Sequence, residues 1–319
     1  MIIGGLVFAA SFYPSPNLAQ QPVIPLTQFI STPTPQHSVE PPTAAPSAVA
    51  GPQGKIVYVC QIFKDQLRDQ ICIINADGSG QRRLTTADHS RHFYPSIAPD
   101  GKSVFYSSDM DGNFKIYEHH LDTNQVATVG GIIGVAPEVS PNNRYITYAT
   151  SNGKQDTIWI ANRDGSNQRQ FYQDAWDPTW SPDSASLLFA TTVENKPQLA
   201  VVNLDGQGFR VVTNLPDLRG RSDWSDDGLH IITYSGLPWE RELFLLNADG
   251  SDVRQVSPTG GNSQGPSFSP DGQWIVFTAY FDQYRINNGC EIYIIRIDGS
   301  MLTRLTNNSY CDWQPRWGP

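Results

Sequence analysis

A short phrase of the form Pro-x-aromatic/apolar-Ser-Pro-Asp-Gly recurs along this chain. It starts at six positions: Pro95, Pro137, Pro178, Ser222, Pro266 and Pro315. The starts are roughly 40 to 50 residues apart, and a period of that length is typical of a β-propeller blade or a solenoid unit. The repeat therefore limits the chain to a small set of architectures.

The segments between the phrases read as strands. Runs of β-branched and aromatic residues, such as Ser103 to Tyr106 and Lys115 to His119, alternate with clusters of Gly, Asp, Asn and Pro. Tight hairpin turns favour Asp-Gly pairs, and such pairs recur at Asp77-Gly78, Asp164-Gly165, Asp205-Gly206, Asp249-Gly250 and Asp298-Gly299. Each unit is predicted to hold four antiparallel strands, which is a propeller blade.

The first unit and the C-terminus each supply part of one blade. The first unit begins at Gly51 without a Pro-x-Trp strand, and the chain ends in such a strand, Pro315 to Trp317. Joining them leaves no sheet edge unpaired at the seam. We predict an all-β fold, a six-bladed β-propeller of four-stranded antiparallel blades in which the C-terminal strand completes the first blade. Truncation of that strand is expected to destabilise the domain.

The repeats resemble the WD40-like propeller repeats of the TolB type, which also occur in the propeller domains of tricorn-like proteases and prolyl oligopeptidases. The resemblance covers residues 52 to 319 and implies the fold. Such repeats serve as partner-binding platforms, protease gates and enzyme scaffolds, so fold alone does not assign chemistry. Two units depart from the pattern, one with Ser222 and Asp226 in place of Pro, the other with Asn142-Asn143 in place of Asp-Gly.

Two segments precede the propeller. Residues 1–13 are apolar and uncharged, and they are shorter than the roughly 20 residues of a membrane span. We interpret them as part of a signal sequence or truncated membrane anchor, the alternative being a disordered apolar N-terminus. Residues 14–51 are rich in Pro, Thr and Ser and are predicted to form a disordered linker. This arrangement suggests an extracytoplasmic protein, secreted or tethered through its N-terminus.

The formal net charge of −9 and the pI near 5.0 argue against a nucleic-acid partner, which normally requires a basic surface.

The four cysteines suggest two bridges. If the first hairpin is centred near Gln66, Cys60 and Cys72 face each other across it, at a separation that suits a disulfide. Cys290 and Cys311 lie on one rim of the ring. We predict the disulfides Cys60–Cys72 and Cys290–Cys311, which indicate an oxidising compartment. Four buried free thiols are the alternative.

No catalytic set or metal site is predicted. The string Gly261 to Gly265 matches Gly-x-Ser-x-Gly, but that motif requires a strand-to-helix turn, and strands are predicted on both sides. A calcium-loop match starting at Asp109 has His120 where the loop needs Glu. His89 and His92 lack further ligands, while His119 and His120 point to opposite faces of a strand. We therefore expect no cofactor.

The loops differ between the two predicted rims. The short turns share one rim, and longer, more variable loops share the other, where binding usually resides. Phe93, Trp176 and Trp313 stand two residues before the recurring Pro and are predicted to pack between blades. The candidate partner-binding residues are Arg91, His92, Arg221, Trp239, Tyr280 and Tyr284.

These observations favour a non-enzymatic, monomeric platform that binds a protein or peptide through the long-loop rim and the channel mouth. Two alternatives stay open. One is an enzyme of the lactonase, lyase or hydrolase type with its site at the channel mouth. The other is a sensor domain of a signalling protein.

Overall fold

The computed structural model describes residues 51–63, 68–86, 89–281 and 289–319. Pro52–Pro319 form one compact unit. The described residues fold into β-strands, turns and bends. None of them belongs to a helix long and apolar enough to cross a membrane.

Six sheets of four antiparallel strands make up the propeller. Blade 1 consists of β24 (Asp312–Gly318), β1 (Lys55–Phe63), β2 (Arg68–Asn75) and β3 (Arg82–Arg83). Blade 2 consists of β4 (His92–Ile97), β5 (Ser103–Ser108), β6 (Lys115–His120) and β7 (Val126–Ile133). Blade 3 consists of β8 (Val135–Val139), β9 (Tyr145–Ser151), β10 (Asp156–Asn162) and β11 (Arg169–Gln173).

The second half of the chain repeats this plan. Blade 4 consists of β12 (Ala175–Trp180), β13 (Ser186–Val193), β14 (Lys196–Asn203) and β15 (Arg210–Val211). Blade 5 consists of β16 (Asp223–Trp224), β17 (His230–Ser235), β18 (Glu242–Asn247) and β19 (Arg254–Gln255). Blade 6 consists of β20 (Gln264–Phe268), β21 (Trp274–Ala279), β22 (Glu291–Arg296) and β23 (Thr303–Arg304).

The innermost strands form a ring around a central channel. They follow one another in space in the order β4, β8, β12, β16, β20 and β24, and β24 returns to β4. Each recurring phrase supplies one of these strands. The prediction of a six-bladed propeller is therefore confirmed.

The seam is closed by the last strand of the chain. β24 pairs antiparallel with β1, so that Trp317 lies opposite Ile56. The Trp317 indole N–H donates to the backbone oxygen of Gln53 at 2.8 Å. Closure of the first blade by the C-terminal strand is confirmed.

The Ser-Pro-Asp-Gly part of the phrase forms a self-bonded turn. In blade 4 the Ser181 hydroxyl donates to the Asp183 carboxylate at 2.5 Å, and the Asp183 carboxylate also accepts the backbone N–H of Ala185. The Gly position of the phrase, directly after the Asp, needs a left-handed backbone, which Gly adopts most readily. Asn143 and Ser184 adopt it with φ of 60° and 61°, so the turn survives where the Gly is missing.

Large apolar side chains fill the spaces between neighbouring blades. Phe93 and Trp313 pack against a buried cluster drawn from blades 1 and 2, with their ring centroids 5.8 Å apart. Trp176 packs against the cluster between blades 4 and 5. The predicted inter-blade role of these three residues is confirmed.

Both expected disulfides are present. The Cα atoms of Cys60 and Cys72 are 5.9 Å apart, and those of Cys290 and Cys311 are 4.3 Å apart. The predicted register of the first pair is wrong, because Cys60 lies opposite Gln70 and Cys72 lies opposite Tyr58. The bridge therefore runs diagonally across two neighbouring strands rather than between facing residues.

Candidate functional site

Each inner strand contains, or closely follows, a residue with a left-handed backbone. The residue before the recurring Pro or Ser has a positive φ in all six blades: Tyr94, Ala136, Asp177, Arg221, Gly265 and Gln314. Five of these are not glycine, and positive φ is uncommon for such residues. The pairing register shifts at this point in the inner strands, for example between Phe93 and Ser96 and between Trp176 and Thr179. Bulges of this kind re-aim a side chain.

Four of these residues, Tyr94, Ala136, Asp177 and Arg221, lie at the mouth of the channel. A small space there is lined by Tyr94, Glu138, Asp177, Arg221 and Arg316, among others. The mouth is on the rim that carries the loops from the second to the third strand and from the fourth strand to the next blade. We call this the long-loop rim.

Arg221 spans the mouth. One Nη of its buried guanidinium donates to the backbone oxygens of Pro95 at 3.3 Å and Gln314 at 3.2 Å. Its backbone N–H donates to Asp177 Oδ2 at 3.1 Å, and its guanidinium lies over the Tyr94 ring at 5.4 Å. Blade 5 is thereby connected to blades 1, 2 and 4.

The charges of the mouth are strongly coupled. Burial and the nearby Arg316 lower the pKa of Arg221 to about 10, while Asp177 opposes that shift, so Arg221 remains a cation at neutral pH. Burial raises the pKa of Asp177, and Arg221 and Arg316 counteract the rise. The geometry keeps opposite charges together in a poorly hydrated space.

Further along the channel, Glu138 connects blades 3 and 4. It accepts hydrogen bonds from the Thr179 hydroxyl at 2.7 Å and the Trp180 backbone N–H at 3.0 Å. Burial raises the pKa of Glu138, opposed by Arg316. Arg316 itself donates to the backbone oxygens of Pro266 at 2.9 Å and Ser222 at 3.1 Å.

An aromatic and cationic sector adjoins the mouth on blades 5 and 6. Trp239 and Tyr280 meet edge to face with ring centroids 5.3 Å apart. Burial raises the pKa of Tyr280, and Arg241 acts against that shift. Arg241 Nη1 donates to Gln264 Oε1 at 2.6 Å.

Three arginines act electrostatically on Tyr234 in this sector. Burial and Asp177 raise the pKa of Tyr234 to about 12, while Arg241, Arg221 and Arg219 act against the rise. We call Arg219, Arg221 and Arg241 the arginine cluster.

The structure brings together three of the six candidate partner-binding residues. Arg221 belongs to the arginine cluster, and Trp239 and Tyr280 adjoin it. Arg91 lies apart on blade 2, where it forms an ion pair with Asp109 at 2.9 Å. Tyr284 falls outside the described residues.

His92 requires a correction. It is fully buried and packs against Tyr106 with ring centroids 5.6 Å apart. Its position at the start of β4 turns the ring into the blade, so it is not a contact that the rim offers to a partner.

The motifs set aside at the sequence level have structural roles. Ser263 is fully buried and strand β20 begins at the next residue, so the strand-to-helix elbow does not form here. His119 bonds Asn124 at 2.8 Å, and His120 bonds the Ser103 hydroxyl at 3.1 Å. Within the described ranges, no group of three or more His, Cys, Asp or Glu side chains is arranged to hold a metal ion.

Sequence reasoning missed most of the channel. Glu138, Asp177 and Arg316 were not among the candidates, and neither were Arg219, Tyr234 and Arg241. A signal existed, because Asp177 and Arg221 immediately precede the first position of the phrase, and Glu138 and Arg316 immediately follow it. Those two positions vary between units, and their side chains line the channel mouth.

Comparison with known proteins agrees with this fold. The profile of the family described as TolB beta propeller domain matches residues 21–208 and 155–284. A solved TolB from Acinetobacter baumannii superposes with a TM-score of 0.74 at 21% identity, covering 83% of this chain and 67% of that one.

Two curated relatives match part of the chain. An uncharacterized protein of Agrobacterium fabrum is 32% identical over 142 residues, 44% of this chain and 46% of its own length. The uncharacterized peptidase YuxL of Bacillus subtilis is 22% identical over 225 residues, 62% of this chain and 31% of its own length. The matched region spans less than half the length of either relative.

The fold and the site define a six-bladed propeller with a charged channel mouth. The chain belongs to the TolB β-propeller domain family.

Proposed function

We propose that this chain is an extracytoplasmic platform that binds a protein or peptide partner. The binding surface is the long-loop rim of blades 5 and 6 together with the channel mouth. The observation that carries the proposal is the meeting of Trp239 and Tyr280 beside the arginine cluster. Trp, Tyr and Arg are the residue types that dominate binding energy at protein interfaces.

The scaffold supports this proposal. Tyr280 directly follows the paired strand β21, and Trp239 lies in the loop that joins the paired strands β17 and β18. Both side chains are half-buried, which leaves part of each accessible. Anchors held on a rigid framework lose little conformational entropy on binding.

The disulfides support an extracytoplasmic location. All four cysteines are paired, and such bridges persist mainly in oxidising compartments. A TolB solved structure is among the proteins that share the fold.

The test is capture of a partner by the full chain from the extracytoplasmic fraction of its source organism. A double variant, Trp239→Ala with Tyr280→Ala, is compared with a matched control, Leu229→Ala with Met301→Ala, on the opposite rim of the same two blades. Leu229 and Met301 are 61% and 60% exposed. The proposal predicts capture by the parent and the control and loss with the rim variant; equal capture by all three would overturn it.

A second candidate function is an enzyme with its site at the channel mouth. It is favoured by the raised pKa values of Asp177 and Glu138, which are characteristic of general acids. A screen of peptidase, lactonase and lyase substrates tests it. Turnover that Asp177→Asn abolishes, while folding is retained, would establish this candidate; absence of turnover would remove it.

A further inference from the structure

The arginine cluster is positive within an acidic chain. Arg219, Arg221 and Arg241 act on the same Tyr234 hydroxyl, whereas the chain as a whole carries a formal charge of −9. The groups that shift the pKa of Arg241, after its burial, are Tyr234, Arg219 and Tyr280, none of them a carboxylate. Neither Arg219 nor Arg241 forms an ion pair with a carboxylate among the described residues.

The Nε atoms of all three arginines are buried and have no hydrogen-bond acceptor in the described part of the chain. Arg221 as a whole is 7% exposed. Burial of a cationic donor without an acceptor costs free energy, and three such donors in one sector add mutual repulsion. The sector is therefore complementary to an anion.

The remaining hydrogen bonds fix the orientation of two of the three guanidinium groups. Arg221 uses one Nη for two backbone oxygens, and Arg241 uses Nη1 for Gln264. These bonds hold the planes in place. The Nε–H groups are buried, so the half-buried Arg219 and Arg241 present their remaining Nη groups to a ligand. An Arg donor fork matches the two oxygens of a planar carboxylate.

Gly220 keeps the cluster close to the mouth. Its φ is +107°, and a Cβ placed there would stand 2.7 Å from Asp177 Oδ2. Only a residue without a side chain allows the chain between Arg219 and Arg221 to pass this close to Asp177. The Asp177 carboxylate offsets Arg221, and Arg219 and Arg241 are left for an external anion.

We propose that the arginine cluster is a carboxylate-binding site for a peptide ligand. This inference rests on the proposed function and adds the chemistry of the partner, which presents a carboxylate at the channel mouth beside Trp239 and Tyr280. The carboxylate comes from an acidic side chain or from a free chain end, and the two sources are separated by the probes below.

Three fluorescently labelled, N-acetylated peptides test the site by anisotropy with the full chain. One is pentaglutamate with an amidated end, the second is pentaglutamine with an amidated end, and the third is pentaglutamine with a free carboxylate. We expect pentaglutamate or the free-ended peptide to bind at least roughly tenfold more tightly than amidated pentaglutamine, as a charge-assisted contact requires. Equal binding of all three, or no binding up to about 1 mM, would overturn the inference.

Variants locate the binding. Arg241→Gln and Arg219→Gln are each expected to weaken binding of the carboxylate peptide by about tenfold. Arg254→Gln is the matched control, since it removes the same charge from the exposed outer strand β19 of the same blade. If Arg254→Gln weakens binding as much as the cluster variants, the effect is general charge and the site is wrong.

The outcomes separate this inference from the proposed function. Suppose that a captured partner is lost with the Trp239 and Tyr280 variant but is unaffected by Arg241→Gln. That result would support the proposed platform and remove the carboxylate site. If carboxylate peptides bind at the cluster but no protein is captured, the carboxylate site is supported and the proposal of a protein partner is removed.

Discussion

Trp239 and Tyr280 pack edge to face across the boundary of blades 5 and 6, with their ring planes 75° apart. Trp239 adopts a left-handed backbone with φ of 71°, which is rare for a large aromatic residue. Strained backbone of this kind clusters at functional sites, where the surrounding structure holds it. This backbone conformation supports the proposal that the long-loop rim is the binding face of the ring.

The coupling between the two rings is measurable. In a double-mutant cycle with Trp239→Ala and Tyr280→Ala, we expect an interaction of about 0.5–1.5 kcal/mol in the free energy of unfolding. This is the usual range for aromatic pairs in proteins. Denaturant titration of the four proteins gives the coupling, and a value near zero would mean that the contact does not form in solution.

The buried cation at the channel mouth is expected to matter for stability. Arg221→Met leaves Asp177 without its main opposing charge and the Pro95 and Gln314 backbone oxygens without their donor, a loss on the order of 3 kcal/mol. Adding Asp177→Asn should recover part of the loss. Thermal and denaturant unfolding check this, with Arg254→Gln as a control whose effect should stay within about 0.5 kcal/mol. If Arg221→Met destabilises the protein as little as the control does, the two charges are not buried together as described.

Stability should fall as the pH rises through the range between the ordinary and the folded-state pKa of Asp312. Burial and the neighbouring Glu291 raise this pKa from 3.8 to about 7. Between these values the folded protein binds more protons than the unfolded chain, so ionisation is penalised only in the fold. Asp69, whose pKa is raised to about 6 mainly by burial, acts in the same direction.

The variant Asp312→Asn tests this linkage. It should reduce the drop in unfolding free energy between pH 5 and pH 8 by an amount on the order of 2 kcal/mol. Asp252→Asn, at an exposed turn position, is the control and should leave the profile unchanged. A profile as steep in Asp312→Asn as in the parent would contradict the assignment.

The Cys290–Cys311 bridge is expected to secure the seam. Cys311 immediately precedes the closing strand β24, and the Asp312 N–H donates to the Cys290 oxygen at 2.8 Å. Loss of a bridge over 21 residues of separation costs about 3 kcal/mol by loop-closure entropy. Cys290→Ala with Cys311→Ala should lower the melting temperature accordingly. Mass mapping without reductant should find both bridges, and free thiols there would contradict them.

The sequence predicted the repeating parts of this molecule because each blade meets the same local requirements. The Ser181 and Asp183 turn, the closing strand around Trp317 and the packing of Trp176 all follow from the repeated phrase. Short-range hydrogen bonding and burial decide these features, and both can be inferred from the sequence of a single repeat.

The parts that differ between blades were harder to predict. Arg221 and Asp177 are adjacent only because the inner strands of neighbouring blades lie side by side around the channel, a contact between residues 44 positions apart in the sequence. The register of Cys60 goes with a shift in pairing between Gln61 and Phe63, which no pattern of apolar residues specifies. His92 resembles a loop residue in sequence, but β4 begins there and buries it.

The central claim is that a partner occupies the long-loop rim of blades 5 and 6. Hydrogen exchange of the full chain, with and without its captured partner, tests it most directly. The account predicts slower exchange at residues 219–221 and 236–241 and no change at the turns around Asp227 and Asp298 on the opposite rim. Protection confined to those turns, with none at the long-loop rim, would contradict it.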